Sequence, residues 1–469
     1  MTGRLIGIGI AVALALAPVA GAQTFTPSNS QLVGGVPSGS PSSEPLALSL
    51  GEAIQRGLEH NLAVLLDEQR VHDAEGRRWQ ALTSVLPTVS GSLSATREKI
   101  NLAAFGFTAP GIPQLVGPFN VYDARLRLSQ PLVDLSALSA AQAGLHTLDA
   151  EKARYADTRS LVIAAVTNLY LVAVADRSRV EAADAAEKTA DIVHRLAADQ
   201  NEAGVVPKLD ALRADVELRA ARQHLIVAKN DVEKDKLALA RAIGLPLGQQ
   251  FTLADAVPFA AVPTIEIAAA ARLAYDSRDD FKAAVARVSA AEASARAARQ
   301  AHLPTLTFDA DYGAIGNTTP TMLATFTAAA NVHVPIFDAG KTRARTLEAD
   351  ADLKTRRAEA DDLRARIYYE VQTASLDLAA ASDQVSVAGE AVTVAEQALG
   401  QAEDRFKAGV ASNLEVVQSQ QALTAARENH IASLYAHNVA KAAVARALGM
   451  GEHEFLQILE GTISWPTSH

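Results

Sequence analysis

The chain has 469 residues, a formal net charge of −10 and no cysteine. The missing thiols remove disulfides, thiolate chemistry and Cys-ligated metals together. The acidic balance argues against nucleic acid, which needs a basic face, and 5% aromatics with abundant alanine suits closely packed long helices.

The N-terminus reads as an export signal, residues 1–22. Arg4 precedes an apolar stretch from Leu5 to Leu16, and the small residues Ala20 and Ala22 place cleavage before Gln23. The stretch is too short to span a bilayer, and no later segment approaches eighteen consecutive apolar residues, so no transmembrane helix is expected in the mature chain. Residues 23–47, rich in Ser, Pro and Gly, read as a flexible leader.

From there the chain says the same thing twice. Ala203-Gly204-Val205 recurs as Ala408-Gly409-Val410, and Ala242-Ile243-Gly244-Leu245 as Ala447-Leu448-Gly449-Met450, both at an offset of 205 (409 − 204 and 449 − 244). Leu86-Pro87 recurs as Leu303-Pro304 at 217 (304 − 87). A repeat this long is a duplicated half-domain, not a solenoid module. The first half is expected over 48–245, with a strand pair at 87–131 and a helical hairpin at 137–242. A linker follows at 246–267. The second half covers 268–450, with a strand pair at 304–336 and a hairpin at 340–448, and 451–469 is a tail.

Apolar residues at three- and four-residue steps predict helices over 51–84, 137–200, 208–242, 268–302, 340–407 and 412–448. Two of them are rods of about 95–100 Å at 1.5 Å per residue. The remaining four are about half as long. End-to-end stacking of 208–242 on 268–302, and of 412–448 on 51–84, would give four parallel rods. Gly204 and Gly409 are expected to supply left-handed residues at the hairpin tips, Pro207 the first turn of the next helix, and Ser412 with Glu415 a capping box. Asp210 also suits a helix N-terminus.

The segments at the rod ends alternate with period two. Tyr122, Ala124, Leu126 and Leu128 oppose Asp123, Arg125, Arg127 and Ser129. Leu306, Phe308, Ala310 and Tyr312 oppose Thr305, Thr307, Asp309 and Asp311. Phe326, Ala328 and Ala330 oppose Thr325, Thr327 and Ala329. Such segments mark membrane β-barrel strands, although a half-buried soluble hairpin alternates too. On the barrel reading Asp123, Arg125, Arg127, Asp309 and Asp311 face the lumen, because lipid-facing charge is costly. Four strands cannot close a barrel and open edges are not tolerated in lipid, so three copies would supply twelve strands. Pro131 and Pro335 would mark the change from strand to helix.

The order of these motifs, with Leu48-Ser49-Leu50-Gly51-Glu52-Ala53-Ile54 opening the first half and Arg405-Phe406-Lys407-Ala408-Gly409-Val410 at the second tip, resembles the TolC-type outer membrane factors. The resemblance covers about residues 46–460. It implies a mainly α fold with a small membrane β portion, a coiled-coil α-barrel and a homotrimeric twelve-stranded β-barrel in outer membrane lipid. It also implies a periplasmic adaptor protein and an inner-membrane pump of the RND or ABC type. Gly204, Val205, Val206, Gly409 and Val410 would then form the adaptor-contact tips. The family's two acidic gate positions fall on Glu415 and Gln418, so the second is neutral here. Its closing tyrosine and arginine fall on Phe406 and Ala411, which lack the hydroxyl and the charge, and their aspartate partner falls on Asp210. The channel would be a passive conduit for small toxic molecules or a secreted polypeptide.

No phosphate-binding loop, zinc motif or nucleophile elbow points to an enzyme, a cofactor or a metal. His430 and His437 share a helix face without a third ligand and are expected to be solvated. A structural periplasmic or surface coiled-coil protein is the competing reading. It shares the rods but does not need four alternating strands.

Overall fold

The computed structural model describes residues 32–106, 111, 113–255, 259–263, 266–408, 410 and 412–462. The expected signal peptide and the tip residues Gly409 and Ala411 lie outside the described residues.

The first half runs through β1 (Leu46–Leu48), α1 (Leu50–His60), α2 (Leu62–Thr83), β2 (Thr88–Asn101), β3 (Leu115–Val133), α3 (Leu135–Glu202) and α4 (Lys208–Ala242). The second runs through β4 (Phe251–Leu253), α5 (Ile267–Ser277), α6 (Asp279–Gln300), β5 (Thr305–Gly316), β6 (Leu323–His333), α7 (Lys341–Lys407) and α8 (Asn413–Ala447), and ends in α9 (Glu452–Glu460). With 68 and 67 residues, α3 and α7 are each about 100 Å long.

Each expected first helix is broken once. Asn61 and Arg278 are extended (ψ 134° and 123°), and each ends one helix and begins the next. At Asn61 the side chain accepts a bond from Ala63 N at 3.0 Å, the cap that restarts the helix. These breaks correct the expected stacking. The last carbonyl of α4, Ala242 O, meets Asn61 Nδ2 at 3.1 Å, and that of α8, Ala447 O, meets Arg278 Nη1 at 3.4 Å. So α4 stacks on α2 and α8 on α6, each within its own half. Length alone could not tell the two pairings apart. The donors that cap the return helices decide between them.

The rods form one curved layer, in the order α2/α4, α3, α6/α8, α7. The main core lies where α1, α5, α9 and the parallel pair β1–β4 cover the middle of this layer, with Ile54, Val162, Val166, Tyr170, Ile367 and Leu448 buried. Tyr170 Oη donates to Leu48 O at 3.0 Å and so ties α3 to β1. One 18-residue stretch of α3 is apolar enough to cross a membrane by composition, although its apolar residues are not consecutive. It is 56% buried inside the fold, which is the physical reason for its hydropathy.

The described part of the leader is pinned rather than free. Val36 N donates to His60 O at 2.9 Å, Ser38 N to Gly244 O at 3.1 Å and Leu46 N to Gln250 O at 3.0 Å. The linker contributes β4, and the tail contributes α9, packed on α8 through Phe455 and Ile458. His437 is buried, not solvated, with its Nε2 3.2 Å from Ala260 O.

The four long strands form an antiparallel sheet in the order β2-β3-β5-β6. Pro131 sits inside β3 rather than beyond it. The register slips by one residue between Pro131 and Val133, a bulge that absorbs the missing N–H.

Candidate functional site

Two regions carry the residues that the sequence singles out: the sheet and the hairpin tips.

In the sheet, register places all five charged candidates on one face. Arg127 lies opposite Asp311, Ser129 opposite Asp309, and Arg125 opposite Gly313. Arg125 bonds Asp123 at 3.2 Å through Nε, Asp311 through Nη1 and, through Nη2, Thr325 Oγ1 on β6 at 3.2 Å. To reach β6 it must lie flat across β5. Gly313 makes room for it: a Cβ there would stand 2.4 Å from Ala124 O and 2.8 Å from Arg125 Cα. Asp309 accepts from Ser129 Oγ at 2.6 Å and Asn331 Nδ2 at 2.8 Å. Arg127 is exposed and has no partner among the described residues. The opposite face carries Val89, Leu93, Leu126, Tyr312, Phe326 and Val332, all exposed, with Phe326 at 77%. A polar face held by cross-strand bonds thus lies behind a bare apolar one.

At the lower end, Gly204 is left-handed (φ 71°), as the tip between α3 and α4 requires. Val205 is exposed and donates to Gln200 O at 2.8 Å, while Val206 packs inward. Pro207 is the N-cap of α4, one residue before its first turn. At the other tip Val410 is exposed.

The expected gate residues separate. Phe406 is 3% exposed and packs with Leu399, Val416 and Leu423 against Val193, Ala197 and Ala214 of the first hairpin. It therefore joins the hairpins instead of facing an aperture. Ser412 makes no side-chain cap bond, so the capping box is absent, and Glu415 instead lies 3.4 Å from Arg405 Nε across the tip. Gln418 is exposed. Asp210 touches the second hairpin through its main chain, where its carbonyl accepts from Asn413 Nδ2 at 3.0 Å, while its carboxylate is 3.4 Å from Arg213.

Sequence reasoning missed Asn413 and Gln420. Both are buried on the inner face of α8, and Gln420 Nε2 donates to Ala186 O of α3 at 3.2 Å. The clue was available. Two amides seven residues apart (420 − 413), interleaved with Val416 and Leu423, are polar residues set in a coiled-coil seam, where they fix register. Among the described residues no group of three or more His, Cys, Asp or Glu could hold a metal.

The sequence profile described as "Outer membrane efflux protein" matches residues 53–245 and 270–450, one block in each half. The chain belongs to the outer membrane efflux protein family. It is an outer membrane protein whose rods extend into the periplasm. It is 25% identical over 408 residues to the pyoverdine export outer membrane protein OpmQ of Pseudomonas putida, covering 85% of this chain and 84% of that one. It is also 25% identical over 386 residues to the toluene efflux pump outer membrane protein TtgC of Pseudomonas putida, covering 79% and 76%. The outer membrane protein VceC of Vibrio cholerae has the same fold, with a TM-score of 0.75 over 86% of this chain and 96% of that one at 19% identity.

Proposed function

We propose that three copies of this chain close into one continuous tube, a passive channel from periplasm to exterior without catalytic activity of its own. The observation that carries this reading is that both layers end in open edges on the same two sides. β2 and β6 are edge strands of the sheet. Below them, α4 exposes Leu212, Val216, Ile226 and Leu237, and α7 exposes Leu347, Leu376, Val387 and Val394. Open edges are not tolerated in lipid, and bare apolar stripes on two outer rods call for neighbours. Three copies pair β2 with β6 and α4 with α7 all round, giving twelve strands and twelve rods.

On this reading the apolar face of the sheet meets outer membrane lipid. Asp123, Arg125, Arg127, Asp309 and Asp311 line the lumen. Gly204, Val205 and Val206 with Gly409 and Val410 meet a periplasmic adaptor, which links the tube to an inner-membrane pump. OpmQ and TtgC are named for pyoverdine export and toluene efflux, which supports small organic cargo. Glu415, repeated by threefold symmetry near the narrow end, would favour cations. Gln418 adds no charge, Phe406 holds the hairpin pair together, and Asp210 with Asn413 fastens it. Ala411, next to Val410 in sequence, belongs to this reading of the tip.

The test is single-channel recording in planar bilayers. The wild-type protein should conduct with a cation preference, and Glu415→Gln should move that preference toward neutral. A protein that inserts no channels would contradict the reading, and unchanged selectivity in the variant would remove Glu415 from the gate.

A further inference from the structure

Contacts made inside the first half recur inside the second at fixed offsets. Arg222 of α4 meets Asp191 of α3 at 3.4 Å, and 205 residues on (427 − 222 and 396 − 191) Arg427 of α8 meets Glu396 of α7 at 2.8 Å. Thr88 pairs with Ser129 between β2 and β3, and Thr305 with His333 between β5 and β6, at offsets of 217 (305 − 88) and 204 (333 − 129). The contacts between the halves are different. α3 packs on α8 and β3 pairs with β5, while their counterparts α7 and β6 end the two layers with no further half beside them.

Carried forward by the same offsets, the contacts between the halves fall on complementary residues of the two open edges. Arg446 of α8 pairs with Asp157 of α3 at 2.6 Å. The shifted pair is Arg241 of α4 and Asp362 of α7 (446 − 205 and 157 + 205). Both are exposed, and neither side chain has an ionic or hydrogen-bonding partner among the described residues. Tyr435 of α8 donates to Asn168 of α3 at 2.8 Å, and the shifted pair, Asn230 and Thr373, is exposed and also able to hydrogen-bond. Leu171 of α3 and Ala442 of α8 line one cleft and are buried. Their counterparts are Leu376 and Leu237, 62% and 70% exposed. In the sheet, Leu128 opposite Ala310 becomes Val332 of β6 opposite Leu93 of β2, and Ser129 opposite Asp309 becomes His333 opposite Ser92. Apolar thus meets apolar on one face and polar meets polar on the other, which a slip of one residue would undo.

We propose that each copy takes the next in place of a third half, an inference that rests on the three-copy reading and gives it a register. α7 and β6 of one copy receive α4 and β2 of the next as α3 and β3 receive α8 and β5 within the chain, and Arg241 of one copy pairs with Asp362 of its neighbour. The register holds from the sheet to the middle of the rods. It ends toward the tip, where Gln420, which donates to Ala186 O, falls on Asp215, already held by Arg219 at 2.9 Å.

Because the chain has no cysteine, disulfide trapping in the full-length protein in detergent tests the register cleanly. Leu93→Cys combined with Val332→Cys should join the copies into a covalent trimer on oxidation, read on a denaturing gel. Val89→Cys with Val332→Cys, a slip of four residues (93 − 89), should not. In the rods, Arg241→Asp and Asp362→Arg should each make the trimer about tenfold more prone to dissociate on dilution, and the two together should restore most of the loss. A trimer that does not cross-link at Leu93–Val332, or a double charge reversal that dissociates as readily as the single ones, would overturn the proposal and leave closure by three copies standing. A monomeric wild type would overturn both.

Discussion

Asn61 and Arg278 are the same device written with different chemistry. They stand 217 residues apart (278 − 61), at the offset of the repeated Leu-Pro, and each donates to the last carbonyl of its own return helix, Ala242 O and Ala447 O. Asn61 adds a bond to Leu32 O at 2.8 Å, and Arg278 adds ion pairs to Asp280 at 2.7 Å and Glu370 at 2.5 Å. A neutral amide and a buried cation therefore stack the two pairs of rods.

The two residues should fail differently. Asn61→Ala removes a helix cap and two buried bonds and should cost about 2 kcal/mol. Arg278→Ala removes the one cation bonded to Asp280 among the described residues, leaving only the field of nearby Arg446, and should cost about 3 kcal/mol. Arg278→Met should recover little, because the carboxylates stay behind. Chemical denaturation of the detergent-solubilised protein measures all three. An Arg278→Ala protein as stable as wild type would contradict the stacking.

Gly313→Ala should strain β5 by about 1–3 kcal/mol, since its Cβ would enter the space of Ala124 O and Arg125. It should also release Arg125 from Thr325. Heat-modifiable gel migration reads the loss of sheet stability as a lower transition temperature. Gly91→Ala, whose Cβ would meet only a Leu126 methyl at 3.4 Å, is the control and should leave migration unchanged.

The rods, the four strands and the Gly204 turn were legible because each rests on a local pattern: helical periodicity, alternation, or a residue that tolerates positive φ. What the sequence hid was set by contacts between distant segments. The stacking partners depend on Asn61 and Arg278 meeting carbonyls 181 and 169 residues away. The leader read as flexible from composition, yet residues 32–48 are fixed by main-chain bonds, and the segment read only as a tail contains α9, anchored by Phe455. The Ser412–Glu415 spacing fits a capping box, but Arg405 competes for the carboxylate. Phe406 looked like a gate residue by alignment of motifs, and its burial follows from the first hairpin packing over it.

Lys441 offers a pH test away from the hairpins. Its buried ammonium donates to Ala260 O at 3.2 Å and to Leu459 O, with no carboxylate bonded to it among the described residues. Burial pulls its pKa down to about 8. A lysine depressed in the folded state is bound less tightly to its proton there than in the unfolded chain. Stability should therefore rise as pH climbs from about 8 toward the usual lysine value of 10.5, and the gain should be absent below 8. Amide exchange in α9 should slow across that window after correction for intrinsic rates, and Lys441→Met should show no such slowing.

Gly204→Val forces a β-branched residue into a left-handed turn with open space around it, so the penalty is backbone strain alone, about 1–2 kcal/mol. It should weaken binding of the adaptor more than it weakens assembly. Loss of assembly with adaptor binding intact would remove this turn from the contact surface.

The central claim is closure by three copies. The mass of the detergent-solubilised complex, with detergent subtracted by light scattering, tests it most directly. Three mature chains per particle, surviving dilution, is the result expected from open edges on both layers. A monomer that stays in water without detergent would contradict the barrel and the tunnel together.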